Sequence, residues 1–306
     1  MKLLKFVLVV ALMLLVMPQA MALKYTIDGD LSDWGVDLSG NWSLNKTWVP
    51  NDGVKFLVED NRDPRYPVSP ANPDYPYTGV HIKGTGSLYE RYFEDPVYSS
   101  HYNSYVYEPI GGEEWDLEAI YLDEDTDYIY VAVVTSLAPN AKGDLAPGDL
   151  ALNLDGDDTT GKYGYEYGVK LGTKTGLTQW EIGYLPNWTE PRYIPENRPS
   201  VFKEYLPGGH ANGTAIGAYV QIPKSDYGEP NYVIEIAIPK DKIGMAGKSL
   251  QYDEPFPKIV HITDACGNDH VEFPIPEFLS ILIPVAVSYT HLRAHETEAD
   301  LVCRLL

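Results

Sequence analysis

Five oxygen-bearing residues recur at the spacing of a calcium loop: Asp155, Asp157, Thr159, Gly161 and Glu166 stand at positions 1, 3, 5, 7 and 12 of one stretch. Carboxylate and carbonyl oxygens at that spacing suit a hard divalent cation, which takes about six to eight oxygen ligands. Thr160 occupies position 6, where the tight turn calls for glycine, and the residues that follow read as strand rather than helix. An acidic hairpin turn uses the same residue types, so both readings stand at this point. A second set of carboxylates lies at Asp28, Asp30 and Asp33, where turn-forming and capping aspartates look the same as ligands. Calcium is the one cofactor these residues suggest.

Other chemistry leaves little trace. The chain has no G-x-S-x-G, no H-E-x-x-H and no P-loop. With 44 acidic residues, some pair falls at a glycosidase-like separation by chance, so paired carboxylates carry no information. The 23 Lys and Arg against 44 Asp and Glu give a net charge of −21. Setting aside Lys2, Lys5, Arg293 and Arg304 with Glu296, Glu298 and Asp300 leaves 19 against 41, or about −22. Such a surface repels phosphates, which excludes nucleic acid as a natural partner.

The ends differ in texture from the middle. Residues 1–22 have a basic start, an apolar stretch and Ala20-Met21-Ala22, the pattern of a secretory signal peptide. A signal helix and export are therefore expected, with the mature chain starting at Leu23. Near the other end an apolar run over 279–287 begins like a membrane anchor but is short of the roughly 20 residues a span needs. Residues 289–306 resemble translated read-through of a sequencing adapter, so they are expected to be non-native, with the anchor lost. Cys303 falls in that tail, which leaves Cys266 with no disulfide partner and best read as a small buried hydrophobe.

What must position any site is a set of short strands. Residues 115–123 and 128–135 are β-rich runs joined by an acidic turn at 124–127. Tyr163, Tyr165, Tyr167, Val169 and Leu171 alternate with polar residues or glycine, as do Tyr232, Ile234, Ile236 and Ile238 with Val233, Glu235 and Ala237. Further strands are expected over 149–154, 179–184, 217–222 and 258–263. The pattern predicts an all-β antiparallel sandwich of jelly-roll or immunoglobulin-like type over residues 23–273. Proline at 64, 67, 70, 73 and 76 marks residues 60–109 as an irregular, Pro- and Tyr-rich insertion, and 186–213 reads as a second loop.

Two motifs add a resemblance. Residues 27–34, Ile-Asp-Gly-Asp-Leu-Ser-Asp-Trp, look like the opening of the family-nine-like carbohydrate-binding (DOMON-like) sandwich. Residues 232–239, Tyr-Val-Ile-Glu-Ile-Ala-Ile-Pro, look like its closing strand, although Lys240 follows where that family often has Trp. Residues 115–123, 148–155 and 266–269 resemble archaeal and bacterial secreted proteins with C-terminal sorting tags, and Pro276-Glu277-Phe278 resembles the archaeal PEF-CTERM tag, so residues 274–288 are expected to be a truncated tag and the start of a transmembrane helix. These resemblances imply an exported, cell-surface-anchored, non-catalytic envelope or binding protein of an archaeon. The partners they imply are an archaeosortase-type processing enzyme and cell-envelope components or glycans, with membrane contact only through the lost anchor. A carbohydrate-binding module and a secreted glycan-active enzyme are the alternatives. A related sandwich type binds haem through Met and His, for which Met245 and His261 would be the pair. Sequons stand at Asn41, Asn45, Asn187 and Asn212, all expected in loops, with Trp42 and Trp188 inside them as candidate exposed aromatics.

Overall fold

The computed structural model describes residues 22–39, 46–59, 80–93, 97–106, 108, 115–141, 143, 146–172, 177–222, 231–250 and 260–273. The expected signal helix, the sequons at Asn41 and Asn45, the proline-rich part of the insertion, the Pro276-Glu277-Phe278 motif and the 289–306 tail lie outside these residues. Among the described residues no helix is long and apolar enough to cross a membrane.

Two antiparallel sheets form the sandwich that the alternation predicts. In the first, β1 (Lys55–Val58), β2 (Val80–Thr85), β3 (Leu88–Phe93), β6 (Leu117–Glu124), β7 (Tyr128–Thr135), β12 (Ile216–Gln221) and β13 (Tyr232–Pro239) run in the order β12-β13-β7-β6-β1-β2-β3. In the second, β8 (Leu150–Leu152), β9 (Tyr167–Val169), β10 (Glu181–Trp188), β11 (Phe202–Thr214), β14 (Val260–Thr263) and β15 (His270–Phe273) run β11-β10-β9-β8-β14-β15. The β6–β7 hairpin turns where expected because Asp125 Oδ1 accepts the backbone N–H groups of Asp127 and Tyr128, each at 2.8 Å.

Period-two patterning explains the core, but only half of it. Ile120, Leu122, Val131, Val133, Ile234 and Ile236 face Leu150, Leu152, Val169, Ile182 and Val260 between the sheets. The intervening Tyr121, Tyr130, Ala132, Val134, Val233 and Ala237 are also buried, because Tyr25, Leu31, Trp34, Val36 and Trp48 cover the other face of the first sheet. Its central strands are thus buried on both sides.

Glu235 fastens that cover. It projects from β13 away from the inter-sheet core and is fully buried. Its Oε1 accepts Trp34 Nε1 at 2.9 Å, and its Oε2 accepts the N–H groups of Asp28 at 3.0 Å and Gly29 at 2.9 Å. Trp34 in turn stacks on Tyr25 with ring centroids 4.0 Å apart. Gly29 has φ +85°, and a Cβ there would lie 2.8 Å from Val220 Cβ, so the approach needs glycine. The opening and closing motifs are therefore two halves of one clasp.

Several expectations are corrected. The insertion is not irregular throughout, since β2 and β3 widen the first sheet and β4 (Val97–Ser99) pairs with β5 (Ser104–Val106) in a separate hairpin. The second expected loop contains β11, whose long pairing with β10 is broken by bulges; its Pro186 and glycines sit at those irregularities, which is why the stretch does not read as strand. Conversely the strand expected from Tyr163 shrinks to Tyr167–Val169, because Tyr163 and Gly164 take positive φ and turn the chain. Asn187 and Asn212 lie on β10 and β11 rather than in loops. Their side-chain amides are engaged: Asn187 Nδ2 donates to Glu204 at 2.8 Å, and Asn212 Nδ2 to the Lys242 carbonyl at 2.5 Å. Trp188 is buried, with its indole N–H on the Tyr165 carbonyl, and is no exposed aromatic.

Candidate functional site: an aromatic hairpin on a buried polar support

Among the described residues, the β4–β5 hairpin carries the densest group of exposed rings. Tyr98 and Tyr105 are a cross-strand pair, 41% and 71% exposed, with centroids 5.5 Å apart in edge-to-face contact. Period-two geometry places both on one face of the hairpin. Tyr98 OH donates to Asn103 Oδ1 across the turn at 2.9 Å. At the tip, Tyr102 lies parallel to Tyr193 with centroids 6.4 Å apart, and His101 packs edge-on against both. Arg192 sits over the Tyr193 ring at 5.0 Å.

An isolated two-stranded hairpin is marginal in water, so its position depends on what lies beneath. Ser99 Oγ donates to the Tyr193 carbonyl at 2.7 Å, and the Ser100 N–H is held by the Glu196 carboxylate. The next residue, Asn197, donates from Nδ2 to the Gly267 carbonyl at 2.8 Å and to Glu108 Oε1. Glu108 Oε2 in turn meets His270 Nδ1 at 2.7 Å. His261 lies alongside: its Nε2 faces the carbonyls of Pro199 and Asn197 and so carries a proton, while its Nδ1 meets Glu272 at 3.2 Å.

Glu59, Asp116 and Asp269 add three more buried acids to this region. Burial, reinforced by Glu59 and Glu108, drives the Asp269 carboxyl well above the ordinary range. Burial alone would lower His270, but Glu108, Glu272 and Glu59 outweigh it and push the imidazole up to about 10. Nearby, Asp264 accepts the N–H groups of Cys266, Gly267 and Asn268, and burial pushes it up to about 7 against those donors. Cys266 is buried as expected, with its thiol 3.1 Å from Asp264 Oδ2.

The sequence-predicted residues lie elsewhere. Asp28, Asp30 and Asp33 serve the clasp: their carboxylates accept the N–H groups of Asp30, Ser32 and Thr26, the turn-and-cap alternative for these residues. In the loop between β8 and β9, Asp155 Oδ1 takes the Asp157 N–H, and Asp157 Oδ1 takes both the N–H and the hydroxyl of Thr159. Glu166, the twelfth position, is buried, and burial pushes its carboxyl up to about 7. Met245 packs in the inter-sheet core, while His261 is held in the polar support, so both members of the haem pair are already engaged.

A cavity of ≈ 470 Å³ opens beside Pro139, Pro147, Thr189 and Lys203. The Lys170 that reaches its wall has its ammonium committed to Asp149 at 2.6 Å, so the buried charge there is already neutralised.

The sequence reading missed the tyrosine hairpin, although Val97-Tyr98-Ser99 and Ser104-Tyr105-Val106 mirror one another about four turn residues. Exposed aromatic faces stack on the apolar faces of sugar rings, and phenol and carboxylate oxygens orient hydroxyls. Protein-family models, curated proteins and solved structures contain no match to this chain.

Proposed function

We propose that the chain is a non-catalytic binding protein of the cell surface whose β4–β5 hairpin holds neutral glycans. The observation that carries this reading is the pair Tyr98 and Tyr105, two exposed rings on one face of a hairpin braced from below. Tyr102 extends the surface. The net charge of −21 favours neutral over sulfated or phosphorylated chains. The signal-peptide pattern and the Pro276-Glu277-Phe278 motif support a surface location.

Affinity gel electrophoresis of the full chain against a panel of soluble neutral polysaccharides tests the reading. At least one polysaccharide is expected to retard the chain, and Tyr98→Ala with Tyr105→Ala should weaken that binding at least ~10-fold, the factor set by ~1.4 kcal/mol of lost stacking. Because both rings are exposed, the same variant should keep its stability within about 1 kcal/mol. No retardation by any polysaccharide would leave a structural envelope role in place of glycan binding.

A further inference from the structure

The loop between β8 and β9 encloses a carboxylate with one oxygen left over. Glu166 is 3% exposed; its Oε1 accepts the Leu154 N–H at 2.7 Å, while its Oε2 is sealed from solvent and has no hydrogen-bond partner. A buried carboxylate oxygen without a donor is a costly arrangement that native folds rarely keep without a ligand or water. The Asp155 carboxylate lies near enough to oppose the Glu166 charge, so two acids meet in the same loop. Gly161 closes the loop onto the same spot: its φ is +73°, and a Cβ there would fall 2.4 Å from the Tyr165 carbonyl oxygen and 3.0 Å from Glu166 Cα.

We propose that this loop binds a calcium ion through Glu166 Oε2 and the Asp155 carboxylate, with loop carbonyls and water completing the shell. All the donors on offer are oxygens, which selects a hard cation over zinc or copper. The arrangement differs from the helix-flanked loop with the same spacing, because Asp157 Oδ1 is turned to Thr159 and the chain continues into β9. Among the described residues, no three His, Cys, Asp or Glu side chains are already gathered as metal ligands. Two charged ligands place the affinity in the weak range of extracellular calcium modules, about 10⁻⁴ to 10⁻³ M. The inference is independent of glycan binding, and its test has no glycan in it.

Thermal unfolding of the full chain at pH 8 is expected to shift upward by about 4–8 °C between EDTA and ~10 mM calcium. Magnesium at the same concentration should give a much smaller shift, because it resists a partly dehydrated, irregular shell. Terbium supplies a direct readout, since Tyr163, Tyr165 and Tyr167 flank the loop and can sensitise its emission; calcium should quench that signal by displacement. Glu166→Gln keeps the acceptor for Leu154 and removes the charge, so it should abolish both the thermal shift and the terbium signal. Asp155→Asn should weaken binding at least ~10-fold, and Asp52→Asn, exposed and bonded to Ser87 beside the first sheet, should change nothing. An unchanged melting curve in calcium, or a shift that survives both Glu166→Gln and Asp155→Asn, would overturn the proposal.

Discussion

Alanine in place of Asp149 is expected to lower the free energy of unfolding by about 3–5 kcal/mol, enough to leave much of the chain unfolded near body temperature. Asp149 is fully buried, and its two oxygens serve donors from the end of β9 and the start of β11. Oδ2 accepts Lys170 Nζ at 2.6 Å and the Phe202 N–H at 3.0 Å, and Oδ1 accepts the Leu171 N–H at 2.9 Å. Removing the carboxylate strands a buried ammonium and leaves two backbone N–H groups unsatisfied. Lys170→Met should cost less, since Asp149 keeps its backbone donors and the replacement is an apolar side chain of similar length at a site where the Lys170 Nζ lies 5.6 Å from the Phe202 ring centroid. The double variant should recover about 1–2 kcal/mol relative to Asp149→Ala, as removing both charges of a buried pair usually does. Urea unfolding of the three variants measures this; a single Asp149→Ala loss below about 1 kcal/mol would show that water reaches the pair.

The second large effect is a decline in stability as the pH rises. His270 has a folded pKa of about 10 against 6.5 in the unfolded chain. The folded state therefore holds the proton more tightly, so the stabilisation is complete below pH 6.5 and fades as the pH climbs towards 10. Each pH unit crossed is worth at most about 1.4 kcal/mol, so about 5 kcal/mol is the ceiling over the whole window. The groups that face the ring are Glu108, Glu272 and Glu59, with His261 at a centroid distance of 5.9 Å. His270→Gln should lose most of this slope between pH 6.5 and 9 while remaining less stable than the parent at pH 6. Parallel slopes in parent and variant would mean that His270 is neutral in the fold.

Strand existence was legible in the β-rich run Tyr128–Thr135 and in the alternation over Tyr232–Pro239. The same period could not tell that the second face of those strands is also buried, because the cover comes from Tyr25, Trp34 and Trp48, far away in sequence. Bulges hid β11, and positive φ at Tyr163 and Gly164 shortened the run expected from Tyr163. Spacing brought Asp155 and Glu166 to attention, but it could not reveal that Glu166 is buried with an orphaned oxygen while Asp157 turns to Thr159. The polar support was invisible for a different reason. Glu108, Asn197 and His270 are separated by 89 residues in one step and 162 in another, and no local pattern links them.

The clasp at Glu235 also fixes the order in which the chain can finish folding. Its bonds to Asp28, Gly29 and Trp34 close loops of 207, 206 and 201 residues. Tyr25 and Trp34 must therefore wait, uncovered, until β13 has appeared and paired. Such distant pairing is slow to form. Synthesis in the N-to-C direction makes Trp34 long before β13, and a product halted before residue 232 lacks the strand that seats it.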